Sequence, residues 1–378
     1  MAYFDNAATT YPKPEEVYNF MDSFYRANGG NAGRGNSKQA ISSAALIEDT
    51  RLRIQNLFHA PTKQVIFTST ATIALNMIIQ GIIKKGCKHV YITPFEHNAV
   101  TRTLHSFKDE IEIHILPCNK KNEYDLDAIK CSFETDKPGM IIASHASNVF
   151  GLISPVEQLF SLAKQFNATT VIDMAQTAGL IDINLGLDIF DFAVFAGHKT
   201  LYGPTGISGF IMKKDIILPS VLYGGTGYDS QNQDMPSSLP EKYEMGTINI
   251  SGIAGLNASL KWIEATGIEN VFQKEKENHD KLEELLMKYD FIKIIGKTDA
   301  KCVGIISCLI DGISSDSAGN IFAERNISVR TGLQCAPLAH QFMGTFPAGT
   351  IRFSCSYFTT DDDFRELDEC LSDIEDNL

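Results

Sequence analysis

The chain has 378 residues, 44% of them hydrophobic and 21% charged, enough for one large unit and one smaller one. No apolar run approaches the ~18 residues of a membrane span, so no membrane partner is expected. The formal charge is −13, and residues 359–378 hold nine acids and one arginine, or −8 of it; this argues against a nucleic-acid partner and reads as a solvated helix face.

The N-terminal stretch MAYFDNAATTYPKPEE carries an early Asp5 and no basic-then-apolar pattern, so no signal peptide is expected. Eight cysteines occur (87, 118, 131, 302, 308, 335, 355 and 370), with no CxxC and no Cys/His cluster of zinc spacing. Free thiols, a reducing cytoplasmic setting and no metal are the expectation. A helix is expected at roughly 39–59. From residue 65 to about 214, strand-like and helix-like segments alternate. The strands are predicted at 65–69, 89–95, 112–116, 139–145, 169–174, 190–196 and 207–214. Several are nearly continuous apolar runs, as in strands covered on both faces. Helices such as TATIALNMIIQGII and PVEQLFSLAKQF fall between them, which predicts a mostly parallel, doubly wound sheet. The last two strands are joined by too short a loop for a helical crossover, so one of them is expected to run antiparallel. Residues 224–247 form a long polar Gly- and Pro-rich loop of the kind that is usually functional or disordered. A helix over about 251–287, broken near Gly267, follows. Thr360-x-x-Asp363 reads as a capping box opening the last helix. The expected division is a large unit over 15–255 and a smaller α+β unit over 1–14 and 256–378.

Ligands of open α/β sheets bind beyond the carboxyl ends of the strands, so the residues that follow each strand are the informative ones. These are Thr70-Ala71-Thr72 at a helix start, suited to a phosphate; Glu96-His97-Asn98; Asn148 and Gly151; Asp173 and Gln176; and His198-Lys199. An amine, an acid, an imidazole, amides and an anion site on one sheet edge fit pyridoxal phosphate. Taken singly, Lys199 reads as a surface lysine, Asp173 as a helix cap, His97 and Arg352 as structural residues and Cys335 as an inert loop thiol. Cys302 and Cys308 read as core.

The pieces YFDNAATTYPKPEEV, TSTATIALN, EHNAV, SNVFG, IDMAQTAG, GHKTLYGPTG, EMGTIN, RTGLQCAP and TIRFSCSYFTT run the length of the chain in this order. With them the chain resembles the class V aminotransferases, specifically the cysteine desulfurase and selenocysteine lyase group. The resemblance implies a fold-type-I pyridoxal phosphate enzyme with a large seven-stranded, mostly parallel sheet domain. It implies that Lys199 holds the cofactor and moves the Cα proton. His97 stacks on the ring and assists proton transfers, Asp173 pairs with the pyridinium nitrogen, and Asn148 and Gln176 bond the phenolic oxygen. Ala71, Thr72 and His198 hold the phosphate, and Thr247 reaches it from the partner of a homodimer. Arg352 grips the substrate carboxylate, and Cys335 accepts sulfur from cysteine for transfer to an acceptor protein.

The chain departs from the family pattern at Ala196, where Ser or Thr is usual, at Gln334, where His is common, and at RGNS (34–37). Rival expectations are a selenocysteine lyase, a C–S β-lyase or an aminotransferase on the same scaffold. From other classes come a catalytically dead scaffold partner and a nucleotide-binding α/β protein. The latter lacks the glycine-rich GxGxxG it would need.

Overall fold

The computed structural model describes residues 1–31, 37–228, 230–297 and 301–377. Residues 34–36 of the RGNS stretch lie outside them. Strand β1 (Ala2–Tyr3) opens the chain. Next come β2 (Gln64–Thr68), β3 (His89–Ile92), β4 (Glu112–Ile115), β5 (Met140–Ser144), β6 (Thr169–Asp173), β7 (Phe192–Ala196) and β8 (Ser208–Met212). These seven form one sheet in the order β2-β8-β7-β6-β5-β3-β4. The neighbours from β7 to β4 are parallel, while β8 pairs antiparallel with both β7 and β2. The short β7–β8 connection forces that reversal, as the sequence predicts.

Neighbouring residues of each strand feed opposite faces. Val65, Phe67, Ile141, Ala143, Ile172, Ala193 and Phe195 enter one core, beneath the helices Lys38–Leu57, Val156–Gln165 and Ile250–Thr266. Ile66, Val90, Ile92, Ile142, Val171 and Val194 enter the other, with Leu75, Ile78 and Ile82 of the helix Ala71–Lys84. Each fully buried Val, Ile or Phe contributes about 1.5–3 kcal/mol, so both faces of the sheet add to the stability of the fold.

The long C-terminal helix is broken as expected. Gly267, at φ 85°, separates Ile250–Thr266 from Ile268–Leu286. The expected boundary at 255 falls inside the first of these helices. Its Leu256, Leu260 and Ile263 belong to the large-sheet core, so packing assigns the helix to the large unit. Beyond it lie β9 (Ile292–Ile295), β10 (Ile305–Ile310), β11 (Ile327–Ser328), β12 (Arg330–Gly332) and β13 (Thr350–Ser354). A four-stranded sheet, β12-β13-β10-β9, packs Ile306, Cys308, Ile310, Ile351 and Phe353 against Leu282, Leu285, Leu367 and Leu371. Cys308 is fully buried there, whereas Cys302 is only half-buried. The last helix, Asp361–Glu375, opens on the predicted capping box of Thr360 and Asp363.

The N-terminus ties the two sheets together. Strand β1 pairs with β11, and Asp5 bridges to Ser354 of β13. Five residues on, the Thr10 N–H donates to the His198 carbonyl (3.1 Å), and the Thr10 hydroxyl donates to the Lys199 carbonyl (2.8 Å).

Candidate active site

The C-terminal ends of five strands, β2, β3, β5, β6 and β7, converge on one cavity of about 240 Å³. It opens beside the switch point between β3 and β5, where the strand order reverses. Of the expected cofactor residues, Ala71, Thr72, His97, Asn148, Asp173, Gln176, His198 and Lys199 all line it. Ser144, Ala146, Ala175 and Ala196 complete much of the wall.

Lys199 is delivered by the turn after β7. An added Cβ at Gly197 would collide with the Ile207 carbonyl, so the turn can pass only with glycine there. Among the described residues the Lys199 amine makes no side-chain hydrogen bond. Burial lowers its pKa from 10.5 to about 8; the Arg352 charge adds to the lowering, while Asp173, Cys335 and Asp5 oppose it. The neutral fraction at pH 7 thereby rises from about one in three thousand to about one in ten.

Asp173 ends β6. One carboxylate oxygen accepts from the Ala175 N–H (2.9 Å), and the other is left to the cavity that the residue lines. Burial raises its pKa, opposed by that hydrogen bond and by Lys199. His97 caps the helix Asn98–His105 by accepting the Ala99 N–H at Nδ1 (3.0 Å), so its remaining proton sits on Nε2. Burial, then the Lys199, Arg352 and Arg102 charges, pushes its pKa down to about 4. The ring is therefore neutral at physiological pH.

The anion site is the start of the helix Ala71–Lys84. Thr70 caps it by accepting the Ile73 N–H (3.2 Å), which leaves the Ala71 and Thr72 N–H groups at the cavity. His198 adds a buried Nδ1 with no partner. Ala196 also lines the cavity and carries no hydroxyl, so the site has one donor fewer than the family pattern that the sequence resembles. Gln176 donates one amide hydrogen to the Ala7 carbonyl (2.9 Å) and keeps another. The unpartnered His198 nitrogen, the two free helix N–H groups, the carboxylate oxygen at the cavity and the neutral flat imidazole fit pyridoxal phosphate as a set.

Three expected residues lie outside the cavity wall. Thr247 is exposed and belongs to a neighbouring depression with Phe67, Ser69 and Met245. Arg352 is 3% exposed. Its Nη2 donates to Asp5 Oδ1 (2.7 Å) and its Nη1 to the Asn148 carbonyl (2.9 Å), while its buried Nε has no partner. The guanidinium, expected to grip the substrate carboxylate, is paired with Asp5 and the Asn148 carbonyl. Asp5 also holds Arg330 (3.0 Å). The sequence offers no signal for this double pairing, because Asp5 and Arg352 lie at opposite ends of the chain.

Cys335 is exposed, on the loop between β12 and the helix Pro337–Met343. Gln334 and Cys335 both have positive φ, 39° and 57°, a conformation costing about 1–3 kcal/mol per residue. Hydrogen bonds hold it. The Asn98 N–H donates to the Cys335 carbonyl (2.7 Å), and the Asn148 amide donates to the Gln334 carbonyl (2.7 Å). The loop is thus bonded to the two turns that carry His97 and Asn148. The Gln334 amide is buried. Its nitrogen donates to the Thr350 carbonyl (2.8 Å), and its oxygen faces His340 Nε2 (2.8 Å). The amide orientation makes His340 Nε2 the donor, so Nδ1 accepts from the Thr345 hydroxyl (2.7 Å). Where the family commonly has His, Gln334 anchors the loop from below.

Comparison with known proteins accords with this geometry. The chain is 28% identical to a probable cysteine desulfurase of Xylella fastidiosa strain 9a5c, over 97% of this chain and 89% of that protein. It is 26% identical to a probable cysteine desulfurase of Methanothermobacter thermautotrophicus, over 98% and 94%. Its fold is similar to the apo structure of a cysteine desulfurase from Thermococcus onnurineus NA1, with a TM-score of 0.89 and 25% identity over 100% of this chain and 95% of that one. The cysteine desulfurase CsdA of Escherichia coli superposes with a TM-score of 0.84, again at 25% identity and with coverage of 100% and 95%. The aminotransferase class-V family model matches residues 2–367, and this chain belongs to that family.

Proposed function

We propose that this chain is a cysteine desulfurase: it takes sulfur from L-cysteine, releases L-alanine and leaves a persulfide on Cys335 for an acceptor protein. The observation that carries the reading is the exposed Cys335 thiol, on a loop whose main chain is bonded to the turns bearing His97 and Asn148. An aminotransferase needs no thiol there.

Lys199, Asp173, His97, Asn148, Gln176, Ala71, Thr72 and His198 would hold pyridoxal phosphate. When bound, the cofactor supplies a carbonyl carbon for amine exchange and an electron sink that acidifies the substrate Cα–H. Lys199, its pKa near 8, attaches the cofactor and, once displaced, is the base for the Cα proton. Asp173 offers its cavity-facing oxygen to a protonated ring nitrogen. Neutral His97 would stack its flat face on the cofactor ring and offer its Nε2–H for proton transfers. The Cys335 thiolate attacks the cysteine sulfur. A new S–S bond forms as the substrate C–S bond breaks, and the departing carbon takes a proton and becomes the alanine methyl. Two thiols thus yield one persulfide and one methyl group, with no outside oxidant or reductant.

Arg352 keeps spare N–H groups on both terminal nitrogens, and the substrate carboxylate competes for them with Asp5. Thr247, exposed and outside its own chain's cavity, acts on a phosphate only from a second copy, which supports a homodimer. Among the described residues no helix is long and apolar enough to cross a membrane.

Product analysis tests the reading. With cysteine and a thiol reductant, alanine and sulfide in equal amounts are expected, with one added sulfur on Cys335 by mass spectrometry. Pyruvate and ammonia would move the assignment to a β-lyase, and dependence on a keto acid would move it to an aminotransferase. Efficient release of selenium with poor release of sulfur would favour a selenocysteine lyase.

A further inference from the structure

A second cluster of ligand-type side chains lies at the opposite end of the sheet from the cavity. His89 is the first residue of β3 and Glu112 the first of β4, and the two strands pair with His89 opposite Glu112 and Tyr91 opposite His114. The parallel register and the two-residue alternation put all three side chains on one face. His89 Nδ1 faces His114 Nε2 at 3.3 Å. One Glu112 oxygen lies 3.7 Å from the first nitrogen and 4.0 Å from the second. Bonds of 2.0–2.1 Å to a tetrahedral ion separate its donors by about 3.3–3.4 Å. The His–His spacing already matches, and Glu112, 71% exposed, is free to close the remainder.

Its surroundings hold the site in place. The His114 ring stacks on Tyr91, centroids 4.5 Å apart and planes 14° apart. Tyr91 is buried, its hydroxyl against the Ser132 and Asp136 carbonyls (3.0 and 2.8 Å). Both imidazoles are about three-quarters buried, at 29% and 23% exposure. Two imidazole nitrogens facing each other at this distance need something between them. Without an ion, one of them must carry the hydrogen. With an ion, that hydrogen moves to the outer ring nitrogen by tautomer exchange, and both lone pairs bind.

We infer that His89, Glu112 and His114 form a binding site for one borderline divalent transition ion, of the class of zinc, cobalt(II), nickel or copper(II). Two imidazoles and one carboxylate suit these ions over magnesium or calcium, which take oxygen ligands. The exposed Glu112 side leaves the remaining positions to water. Among the described residues, strand β4 is the last of the sheet and pairs with β3 alone, so an ion here staples the sheet edge, away from the chemistry. Sequence spacing hides the site: its ligands come from two strands, in the pattern His-x22-Glu-x-His.

The test titrates zinc into chelator-treated holoenzyme, in parallel with the His114→Gln and Glu112→Gln variants. One equivalent is expected to bind wild type and raise its melting temperature. His114→Gln should weaken binding by at least about tenfold, since even outer-sphere changes cost 10–100-fold. Glu112→Gln, at an exposed position that folding does not need, should weaken it less. Cysteine turnover should be unchanged in both. Cobalt(II) should give visible ligand-field bands with no sulfur-to-metal charge-transfer band. No binding, equal binding by wild type and both variants, or a cobalt–thiolate band would each overturn the site, the last two by placing the ion on exposed thiols such as Cys131 or Cys335.

Discussion

Lys199 stands at the C-terminal end of a strand buried on both faces, in a turn that only glycine can enter. Cys335 stands on an exposed loop in which two consecutive residues have positive φ. The first environment lowers an amine's pKa by burial and holds it still. On the proposed function, the second keeps a thiol open to two different clients, the substrate sulfur and an acceptor. The contrast teaches that the site separates its tasks by element type. In the proposed reaction, carbon–hydrogen chemistry is anchored on the sheet, where burial shifts pKa values. On the proposed function, sulfur transfer is placed on a loop, held by hydrogen bonds to its main chain and by the buried Ala336 that follows the thiol.

The hardest test of the sheet side is Lys199→Ala. Loss of a positioned base costs about 10²–10⁴-fold, and here the cofactor's attachment goes as well. Turnover of cysteine should fall by about three orders of magnitude or more. Borohydride should fix cofactor covalently to wild type and not to the variant. Covalent fixation in Lys199→Ala would place the attachment elsewhere.

On the loop side, Cys335→Ala should separate the two tasks. The variant should hold cofactor with the wild-type absorption, still bind cysteine, and release no alanine from it. A persulfide of one added sulfur, found on wild type after cysteine, should be absent. Alanine formation at the wild-type rate would remove Cys335 from the reaction and favour the lyase.

Asp173→Asn sharpens the sheet side by charge alone. Removing one partner of a developing charge costs about 10²–10³-fold in rate, with cofactor binding largely kept. A second readout follows from Lys199. Its lowered pKa means that cofactor capture by the apoprotein rises with pH and levels off above about 8, not above 10.5. The Asp173 charge raises that amine pKa, so Asp173→Asn should move the plateau to lower pH. An unmoved plateau and a near-normal rate would reduce Asp173 to a cap for the Ala175 N–H.

The sheet half was legible in the sequence because each of its residues follows directly on an apolar run. His97, Asp173 and Lys199 mark strand ends, and strand ends of a parallel sheet meet. Even the antiparallel strand β8 and the break at Gly267 were readable, from one short loop and one glycine. The loop half was legible only as a motif. What holds Cys335 is a set of contacts across hundreds of residues: Asn98 to Cys335 and Asn148 to Gln334. No local pattern encodes them. For the same reason the pairing of Arg352 with Asp5 had no signal in the sequence.

The smallest expected effect concerns Gln334, because a substitution there changes only a side chain that anchors the loop from beneath. Its amide satisfies the Thr350 carbonyl and the buried His340 Nε2–H at once. Gln334→Ala leaves both without partners, at a cost of about 1–3 kcal/mol in stability. It also removes the side chain that anchors a strained backbone, while the main-chain bonds from Asn98 and Asn148 survive. The thiol should then sample more positions. The rate on cysteine should fall by about tenfold, the equivalent of 1.4 kcal/mol, with KM and cofactor absorption little changed. Sulfur loading on Cys335, followed by mass spectrometry, should slow by the same factor. A merely structural role would lower the melting temperature and leave the rate of sulfur loading alone. That outcome would show the loop to be positioned wholly by its bonds to the His97 and Asn148 turns, and the division between packed sheet and hydrogen-bonded loop would then rest on those two bonds.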